Sequence, residues 1–345
     1  MSNTSPVESN TSKPSHPDKG PFLRDLQPGQ RFIGYYLLRN RYLEPFRDTS
    51  RGFYLTLILS DASGQLVGRV WEDAQATAEQ IRDGQVVKLE GEVDVYLERI
   101  QVRVLRVRAA REEEYDRRDF LPSTRRDRQE MLSELASYRG LITEPHLAAL
   151  VDEFFTDANF LAAFAEAPAT PEVHHAYLGG LLEHTLNVMQ LCTTVLTLYP
   201  TIDANLLMAG AFLYQVGKIR ELEWQMGLDY SDEGRLVGDI LLSGEMIDNA
   251  LRGMPDFPPE LAIRLRHLVA AQNGRYEWGS PRQPQTLEAI TLHQVEALDS
   301  QVNRFASLLE NRSPDEPWTP FDRLLGRQLY GPTEQDEGKI SEPPA

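Results

Sequence analysis

The sequence predicts a two-domain protein of mixed α and β structure, in which a small β-barrel precedes an all-α domain. The first observation is length, because 345 residues are enough for about two domains of 100–200 residues each. The second is that residues 31–110 alternate short apolar runs with turn residues. The third is that apolar residues recur at helical spacing from about residue 129 to residue 309.

Five strand-like runs fill the first of these regions: "RFIGYYLL", "GFYLTLILSD", "QLVGRVWE", "QVVKLEGEVDVYL" and "RIQVRVLRVR". Turn residues separate them, with "DASG" at 61–64 and "RDG" at 82–84. The stretch "DAQATAEQIRDG", between the third and fourth runs, is typical of the short helix that an OB-type barrel often carries there. We therefore expect an OB-type, nucleic-acid-binding barrel over residues 21–111.

The second region begins after a charge-dense stretch, "AREEEYDRRDFLPSTRRDR", in which we place a linker at 112–128. Pro122 is followed by Ser123 and Thr124, either of which can cap the next helix. Segments such as "PHLAALVDEFF" and "TLEAITLHQVEALDSQVNRFASLLE" then show apolar spacing of i, i+3 and i+4. These segments predict an all-α domain over 129–330, on which "WTPFDRLLGRQLY" is expected to pack back.

Both ends of the chain read as disordered tails. Residues 1–20 are polar and lack the apolar core of a signal peptide. Residues 331–345 are acidic and Pro-rich. Because no run approaches the roughly 18 apolar residues of a membrane span, we expect a cytoplasmic protein without a membrane partner.

Charge is unevenly distributed along the chain. The net charge is −17, yet residues 21–111 hold 14 Lys and Arg against 12 Asp and Glu, and the remainder holds 21 against 40. Since an acidic surface repels polyanions, the nearly neutral barrel is the better place for nucleic acid. Cys192 is the single cysteine, which excludes an internal disulfide and a thiolate zinc cluster.

Single-strand-binding barrels stack bases on exposed aromatic side chains and follow the phosphates with basic ones. The barrel offers both kinds of residue, interleaved along the strands. For any one aromatic, a place in the core is the alternative, because successive residues of a strand face opposite sides. The predicted nucleic-acid-binding residues are Phe53, Tyr54, Arg69, Trp71, Lys88 and Tyr96.

Several motifs of the helical region are more specific: "APATPEVHHAYLGGLLEHTLNV", "LLMAGAFLYQVGKIREL", "NGRYEWGSP" and "TLEAITLHQVEALDSQVNRF". In this order and spacing the chain resembles the YhaM-type 3′–5′ exoribonucleases, over roughly residues 22–330. The resemblance implies an N-terminal OB-fold joined to an HD-type phosphohydrolase domain. It also implies one or two divalent ions, held by His and Asp residues, that activate a water against the scissile phosphate.

The resemblance also implies where the metal ligands would lie. The first His of the family falls on His184, in "LLEHT", and is present. The family's His-Asp pair falls on Tyr214 and Gln215. Tyr is a poor ligand near neutral pH, and Gln is a neutral oxygen donor without the charge that a divalent ion needs. The central ligand pair is therefore missing.

The remaining ligand positions are altered too. A further His falls on Asp239, and a double His falls on Gln272 and Asn273. The late Asp falls on Glu296, with Asp299 three residues further on. If a site is retained, His184, Asp239 and Glu296 form an oxygen-rich set suited to Mg²⁺ or Mn²⁺. The alternative is that these side chains are solvated or paired with neighbours.

Other residues of the motifs have two interpretations each. Lys218, in "VGKI", is the candidate catalytic residue because it can hold a phosphate, and a salt bridge to Glu221 or Glu223 is the alternative. The others either contact substrate or metal, or support the fold, and they are His174, His175, His267, Glu277, Trp278 and His293.

Two hypotheses follow. The first is a single-stranded RNA- or DNA-binding protein whose HD-like domain has lost metal-dependent phosphodiesterase activity and needs no cofactor. The second is a divergent exoribonuclease that uses Mg²⁺ or Mn²⁺ in a rebuilt site. We favour the first because the substitutions affect several ligand positions. The sequence leaves a homo-oligomer open.

Overall fold

The computed structural model describes residues 19–46, 48–96, 99–225, 227–313 and 316–332. It divides into two units at the boundary between Pro122 and Ser123. That boundary lies inside the predicted linker, 112–128. The predicted tails fall almost entirely outside the described residues.

The first unit is a closed five-stranded barrel with the strand order β1-β2-β3-β5-β4. All neighbouring strands are antiparallel except β3 and β5, whose short parallel pairing closes the barrel. The predicted OB-type barrel is thus confirmed, including the helix between its third and fourth strands. The elements are β1 (Arg31–Pro45), β2 (Phe53–Asp61), β3 (Gly64–Val70), α1 (Ala74–Gln80), β4 (Val86–Tyr96) and β5 (Arg99–Ala109).

Burial follows the sequence alternation only in part, because Thr56 and Ser60 of β2 are buried as well. Leu55, Leu57 and Leu59 of β2 are fully buried inside the barrel together with Tyr36. Strand β1 continues to Pro45, beyond the predicted end at residue 38, through a shift of register at Leu38. This extension is what brings the residues after β1 alongside the end of β3.

The barrel unit is larger than the predicted range of residues 21–111. Lys19, in the predicted tail, is buried, and its ammonium lies 2.8 Å from the carboxylate of Asp61. Phe120, in the predicted linker, is buried against Tyr35 and Leu37. Both ends of the barrel segment are therefore corrected outward, because apolar and ion-pair contacts hold residues that look polar or charged in sequence.

The second unit is helical, as predicted. Carboxylate or hydroxyl side chains cap several of its helices, among them Asp127, Glu144, Asp157 and Asp203. The helices are α2 (Arg128–Arg139), α3 (Pro145–Phe155), α4 (Ala158–Glu166), α5 (Gly180–Leu198), α6 (Ala204–Leu213), α7 (Lys218–Glu221), α8 (Asp232–Leu236), α9 (Asp239–Arg252), α10 (Pro259–Ala270) and α11 (Leu287–Glu310).

Helix α6 is apolar on every side and nearly all of it is buried, so it is the central helix of the unit. Helices α3, α5, α10 and α11 pack around it. None of the helices in the described part of the chain combines the length and the apolarity needed to cross a bilayer.

Three features differ from the predicted helical pattern. The segment 203–219 is interrupted, because α6 ends at Leu213 and the chain turns before α7. Segment 234–253 is split into α8 and α9 at Gly238. This residue has a φ of +82°, which glycine adopts without strain. Between α7 and α8, the strands β6 (Leu222–Glu223) and β7 (Asp229–Tyr230) form a small sheet. The unit is therefore not purely helical.

The segment that was expected to pack back on the helices does so. The guanidinium of Arg304, on α11, lies 2.6 Å from the carboxylate of Asp322. Within the segment, isolated bridges pair Trp318 with Tyr330 and Asp322 with Arg327.

Candidate functional site

The barrel carries a cluster of three aromatic side chains. Phe46 follows β1, Tyr54 lies on β2 and Trp71 follows β3, and we call them the barrel aromatic cluster. The ring centre of Tyr54 is 5.3 Å from those of both Phe46 and Trp71. Trp71 is 41% exposed, whereas the other two rings are half-buried. The cluster is thus anchored on the barrel and open on one side.

Two arginines flank the cluster. The guanidinium of Arg51 lies 4.5 Å from the ring centre of Phe46, and that of Arg69 lies 5.3 Å from Tyr54. Arg69 also donates a hydrogen bond to the hydroxyl of Thr56. Such cation–π contacts hold the guanidinium groups beside the rings, where they can meet phosphates while bases stack.

The structure distributes the predicted nucleic-acid-binding residues over three places. Tyr54, Arg69 and Trp71 are together in the cluster, and Phe53 is the exposed neighbour of Tyr54. Lys88 lies apart, with its ammonium 5.2 Å from the ring centre of Tyr35.

Lys88 also lines a cleft of about 620 Å³ between α1 and strands β4 and β5. Tyr96 is 63% exposed at the end of β4, paired in register with Arg99. The prediction missed Phe46, whose place became clear only from the extension of β1.

In the helical unit, a polar centre forms where α5 and α11 meet the loop before α5. Asp299 of α11 is its hub. One carboxylate oxygen lies 2.8 Å from Nε2 of His175 and 2.6 Å from Nδ1 of His184. The other accepts a hydrogen bond of 2.9 Å from the amide of Asn187. Three donors from two elements therefore converge on one carboxylate.

These contacts fix the orientation of both imidazoles. Because the carboxylate only accepts, Nδ1 of His184 donates, and in the neutral imidazole Nε2 is then the acceptor. The hydroxyl of Tyr214 lies 2.9 Å from that Nε2. Similarly, Nδ1 of His175 lies at hydrogen-bonding distance, 2.8 Å, from the hydroxyl of Tyr177.

The backbone of His175 has a φ of +44°, a left-handed conformation that costs a non-glycine residue about 1–3 kcal/mol. The contacts to Asp299 hold the residue in this conformation.

The electrostatics of the centre follow from burial and these hydrogen bonds. Burial by itself raises the pKa of the Asp299 carboxyl, but the hydrogen bonds from His175 and His184 outweigh it and hold that pKa well below its usual range. Burial raises the pKa of the Tyr214 phenol far above its usual value. Asp299 is thus a stable anion, and Tyr214 is a neutral hydroxyl.

A second set of charges surrounds Lys218, at the start of α7. Its ammonium lies 2.7 Å from Glu221 and 3.4 Å from Asp239. Burial favours the neutral amine, but the two carboxylates outweigh it and raise the pKa of Lys218 above its usual value. The amide of Gln272 donates to the same oxygen of Asp239 at 2.9 Å. One permanent cation is therefore already paired with both carboxylates at this position.

The structure does not assemble the predicted metal set of His184, Asp239 and Glu296. His184 and Glu296 are neighbours, with 3.9 Å between Nε2 and a carboxylate oxygen. Asp239 instead faces Lys218 and Gln272, and it belongs to no group of three metal-type ligands among the described residues. The set is therefore revised, because α9 presents Asp239 to the lysine.

Two other groups of three lie close enough for one ion, namely His174, His184 and Glu296, and His175, His184 and Asp299. In the group of His175, His184 and Asp299, the atoms that could bind a metal are already hydrogen-bonded to one another. In the first, Nε2 of His174 is buried without a hydrogen-bond partner among the described residues. Burial, then the neighbouring His184 and His175, lower the pKa of His174 to about 2, so this imidazole is neutral.

The chemistry open to the polar centre is limited by access. Tyr214, His184 and Asp299 form a hydroxyl–imidazole–carboxylate chain, the arrangement that activates a nucleophile in hydrolases. Tyr214 is fully buried, however, so a substrate cannot reach its oxygen. The geometry of these three residues is therefore that of a buried hydrogen-bond network.

Of the remaining motif residues, His267 and His293 make hydrogen bonds to the backbone, whereas Glu277 and Trp278 are exposed. Nε2 of His267 accepts a hydrogen bond from the backbone amide of Gln285 at 2.9 Å. Nδ1 of His293 lies 2.9 Å from the backbone carbonyl of Gln272. No sequence pattern indicated a role for Asn187, because its amide reaches Asp299 only through the packing of α5 on α11.

Comparisons with known proteins agree with both units. Residues 40–110 match the family of OB-fold nucleic acid binding domains named for the tRNA anti-codon. The chain is similar to three proteins named 3′-5′ exoribonuclease YhaM. Identity is 29% with that of Shouchella clausii, over 90% of this chain and 96% of the relative. It is 30% with that of Bacillus subtilis and 32% with that of Bacillus pumilus, each over 81% of this chain and 88% of the relative.

Proposed function

Since the chain belongs to the YhaM family of 3′–5′ exoribonucleases, we propose that it binds single-stranded RNA through its barrel but does not cleave it in its helical unit. In this proposal the helical unit keeps the architecture of a phosphohydrolase and has lost the metal-dependent reaction. A cytoplasmic location accompanies the proposal as a prediction.

The barrel aromatic cluster supports binding. An exposed Trp71 stacked on half-buried Tyr54 and Phe46 gives a base a rigid platform, and the arginines beside it meet the phosphates. Stacking contributes roughly 1–3 kcal/mol per base, so a few contacts give useful affinity without a strongly basic surface. RNA is preferred to DNA because the relatives are named exoribonucleases.

One observation carries the loss of hydrolysis: the hydroxyl of Tyr214 lies 2.9 Å from Nε2 of His184. That nitrogen offers the lone pair that a metal ion needs, and here it accepts a hydrogen bond from a neutral phenol. Lys218 supports the same conclusion, because its ammonium is already paired with Asp239 and Glu221. The residues present therefore do not fit the Mg²⁺ or Mn²⁺ set that the resemblance implies.

The test combines binding and cleavage on one RNA of about 16 nucleotides, the upper end of what one OB-fold covers. Fluorescence anisotropy should show saturable binding that Trp71→Ala weakens by about 5-fold or more. Trp318→Ala, which removes a tryptophan of similar exposure (51%) from the other unit, should bind normally.

Gel electrophoresis after incubation with Mg²⁺ or Mn²⁺ should show RNA of unchanged length. Shortening that EDTA stops and Glu296→Gln abolishes would contradict the proposed loss of activity. Absence of binding, or binding unaffected by Trp71→Ala, would contradict the role of the barrel.

A second candidate function is a metal-dependent phosphohydrolase with a rearranged centre. It is favoured by one observation, the unpartnered Nε2 of His174 close to His184 and Glu296. Two imidazoles and a carboxylate are a donor set that suits Zn²⁺ better than Mg²⁺. The metal content of the purified protein distinguishes the two functions, because only the second predicts a stoichiometric ion that His174→Ala removes.

A further inference from the structure

The loop that follows α10 presents two large aromatic side chains to solvent. Its single 3-10 turn spans Tyr276–Trp278, and we call residues 275–281 the aromatic loop. Tyr276 is 57% exposed and Trp278 is 55% exposed. Other rings of the helical unit are similarly exposed, among them Tyr199 and Trp318, but Tyr276 and Trp278 share a single turn.

The aromatic loop is held rigidly. Ser280 is buried, and its hydroxyl contacts the backbone carbonyls of Ala270 and Arg282 at 3.1 and 2.7 Å. The amide of Asn273 donates to the carbonyl of Trp278 at 3.1 Å. Such anchoring means that a ligand meets a preformed surface and need not order the loop on binding.

The base of the loop is fixed as well. Gly274 has a φ of +74°, and a Cβ at this position would lie 2.2 Å from Nε2 of His293. Only glycine therefore lets the chain turn this closely against α11.

The loop carries charge of both signs beside the rings, because Arg275 and Glu277 are both exposed. The guanidinium of Arg275 lies over Trp278, 4.8 Å from the ring centre. Within the described residues, neither Arg275 nor Arg282 has a carboxylate within 4.0 Å. Both guanidinium groups are thus available to an anionic ligand, and a base can stack on an arginine plane as well as on a ring.

A small pocket of about 240 Å³ adjoins the loop. Asn273, Gly279 and Pro281 line one side of it, and Gly238, Asp239 and Leu241 line the other. It is smaller than the roughly 300–1,000 Å³ of a pocket for a drug-sized ligand, so it suits a single unit of a polymer. Asn273 and Asp239 can accept hydrogen bonds from a base amino group or a ribose hydroxyl.

We propose that the aromatic loop is a second RNA contact, which takes one unpaired nucleotide through stacking on Tyr276, Trp278 and Arg275. The sugar or base edge of that nucleotide enters the adjoining pocket, and Arg275 or Arg282 meets its phosphate. The inference rests on the proposed single-strand binding for the identity of its ligand. It differs from that proposal in assigning a binding role to the helical unit, at a place independent of the barrel aromatic cluster.

The test uses the full chain and an RNA that carries 4-thiouridine. After irradiation, mass spectrometry of the digested complex should find cross-links to residues 275–281 as well as to the barrel. Tyr276→Ala should weaken binding of the unmodified RNA by about 5-fold. The matched control is Tyr199→Ala, which removes a tyrosine of nearly equal exposure (59%) from the same unit and should bind normally.

A second variant tests whether a weaker binding by Tyr276→Ala could come from a folding defect at that one position. Trp278→Ala should also weaken RNA binding, with the thermal unfolding of the protein monitored in parallel. In a further experiment, free uridine monophosphate is added as a competitor before irradiation. Competition by the mononucleotide at the loop cross-link would show that a nucleotide is recognised without the rest of the strand.

The outcomes separate this inference from the proposed function. Loop cross-links that persist in Trp71→Ala support the loop even if the barrel proves not to bind. No cross-link at residues 275–281 at saturating RNA, or equal binding by Tyr276→Ala and Tyr199→Ala, overturns the inference, whatever the barrel does.

Discussion

The two units use the same kind of side chain in opposite ways. Tyr54, in the barrel, is half-buried beside an exposed Trp71. Tyr214, in the helical unit, is fully buried, and its hydroxyl is bonded to His184. One ring is partly open to solvent, whereas the other is enclosed within the helical unit.

The surroundings of the two tyrosines differ in how many of their polar and charged groups already have partners. Around Tyr54, Arg51 and Arg69 lie beside ring faces, and Arg69 is also 3.8 Å from the carboxylate of Glu44. Around Tyr214, the carboxylate of Asp299 already accepts three hydrogen bonds, and Lys218 is paired with two carboxylates. The groups of the polar centre are therefore largely paired with one another, whereas the barrel aromatic cluster is open to solvent on one side.

The largest effect is expected from Asp299→Ala. Removing the hub leaves the ring N–H groups of His175 and His184 buried without an acceptor, so the free energy of unfolding of the helical unit should fall by about 3–5 kcal/mol at pH 7. Urea unfolding followed by circular dichroism measures the change. RNA binding by the barrel should be retained, because the barrel aromatic cluster lies within the first unit.

This stabilisation should depend on pH in one direction. The pKa of Asp299 is depressed below its value of about 3.9 in an unfolded chain. Its contribution is therefore complete above that value and is lost as the pH falls through the folded pKa. The difference in stability between native protein and Asp299→Ala should shrink below about pH 4, and a difference that grows there would contradict the assigned charge.

Tyr214→Phe tests the hydrogen bond that closes the polar centre. The ring remains and only the hydroxyl is lost, so Nε2 of His184 becomes a buried acceptor without a donor. We expect a loss of about 1–3 kcal/mol in the free energy of unfolding. Unchanged stability would mean that Tyr214 does not satisfy His184. Tyr177→Phe, which removes the corresponding hydroxyl from His175, is the matched comparison.

In the barrel, the loss of RNA affinity on replacing a predicted binding residue should depend on whether that residue lies in the barrel aromatic cluster. Tyr54→Ala should weaken RNA binding by about 1 kcal/mol, because it removes part of the stacking platform. Tyr96→Ala should weaken it less, since Tyr96 stands apart from the barrel aromatic cluster. Anisotropy titrations of both variants decide the point, and a larger effect of Tyr96 would move the binding surface to the end of β4.

The smallest effect concerns Cys192, which is buried on α5 within the helical core. Burial raises the pKa of its thiol to about 12, so almost no thiolate exists at pH 8. Native protein should react negligibly with a thiol reagent, and Asp299→Ala should react faster because the helical unit opens more often. Rapid labelling of the native protein would show that the core around α5 is more open than described.

The barrel was predictable because alternation, turns and burial coincide in its strands. Leu55, Leu57 and Leu59 alternate with Thr56 and Ile58 in the sequence, and they fill the interior. The end of β1 was not predictable, since the register shift at Leu38 depends on pairing with β2. Phe46 was missed for that reason.

The polar centre was predictable only in part. The resemblance identified Tyr214 and Gln215 as replacements, but nothing in the sequence showed that the phenol would reach His184. Asp239 was expected beside His184 and Glu296, and it faces Lys218 because a glycine with positive φ redirects the chain before α9. Contacts between elements far apart in sequence, such as Asn187 and Asp299, follow from helix packing alone.

The most direct test of the central claim is calorimetric titration of the protein with Mn²⁺. The account predicts no saturable binding that depends on the polar centre, so native protein and Glu296→Gln should give the same isotherm. Glu260→Gln, an exposed carboxylate of the same unit, controls for weak binding to the acidic surface. One or two bound ions that Glu296→Gln removes and Glu260→Gln leaves in place would contradict the claim that the unit's own side chains close this centre.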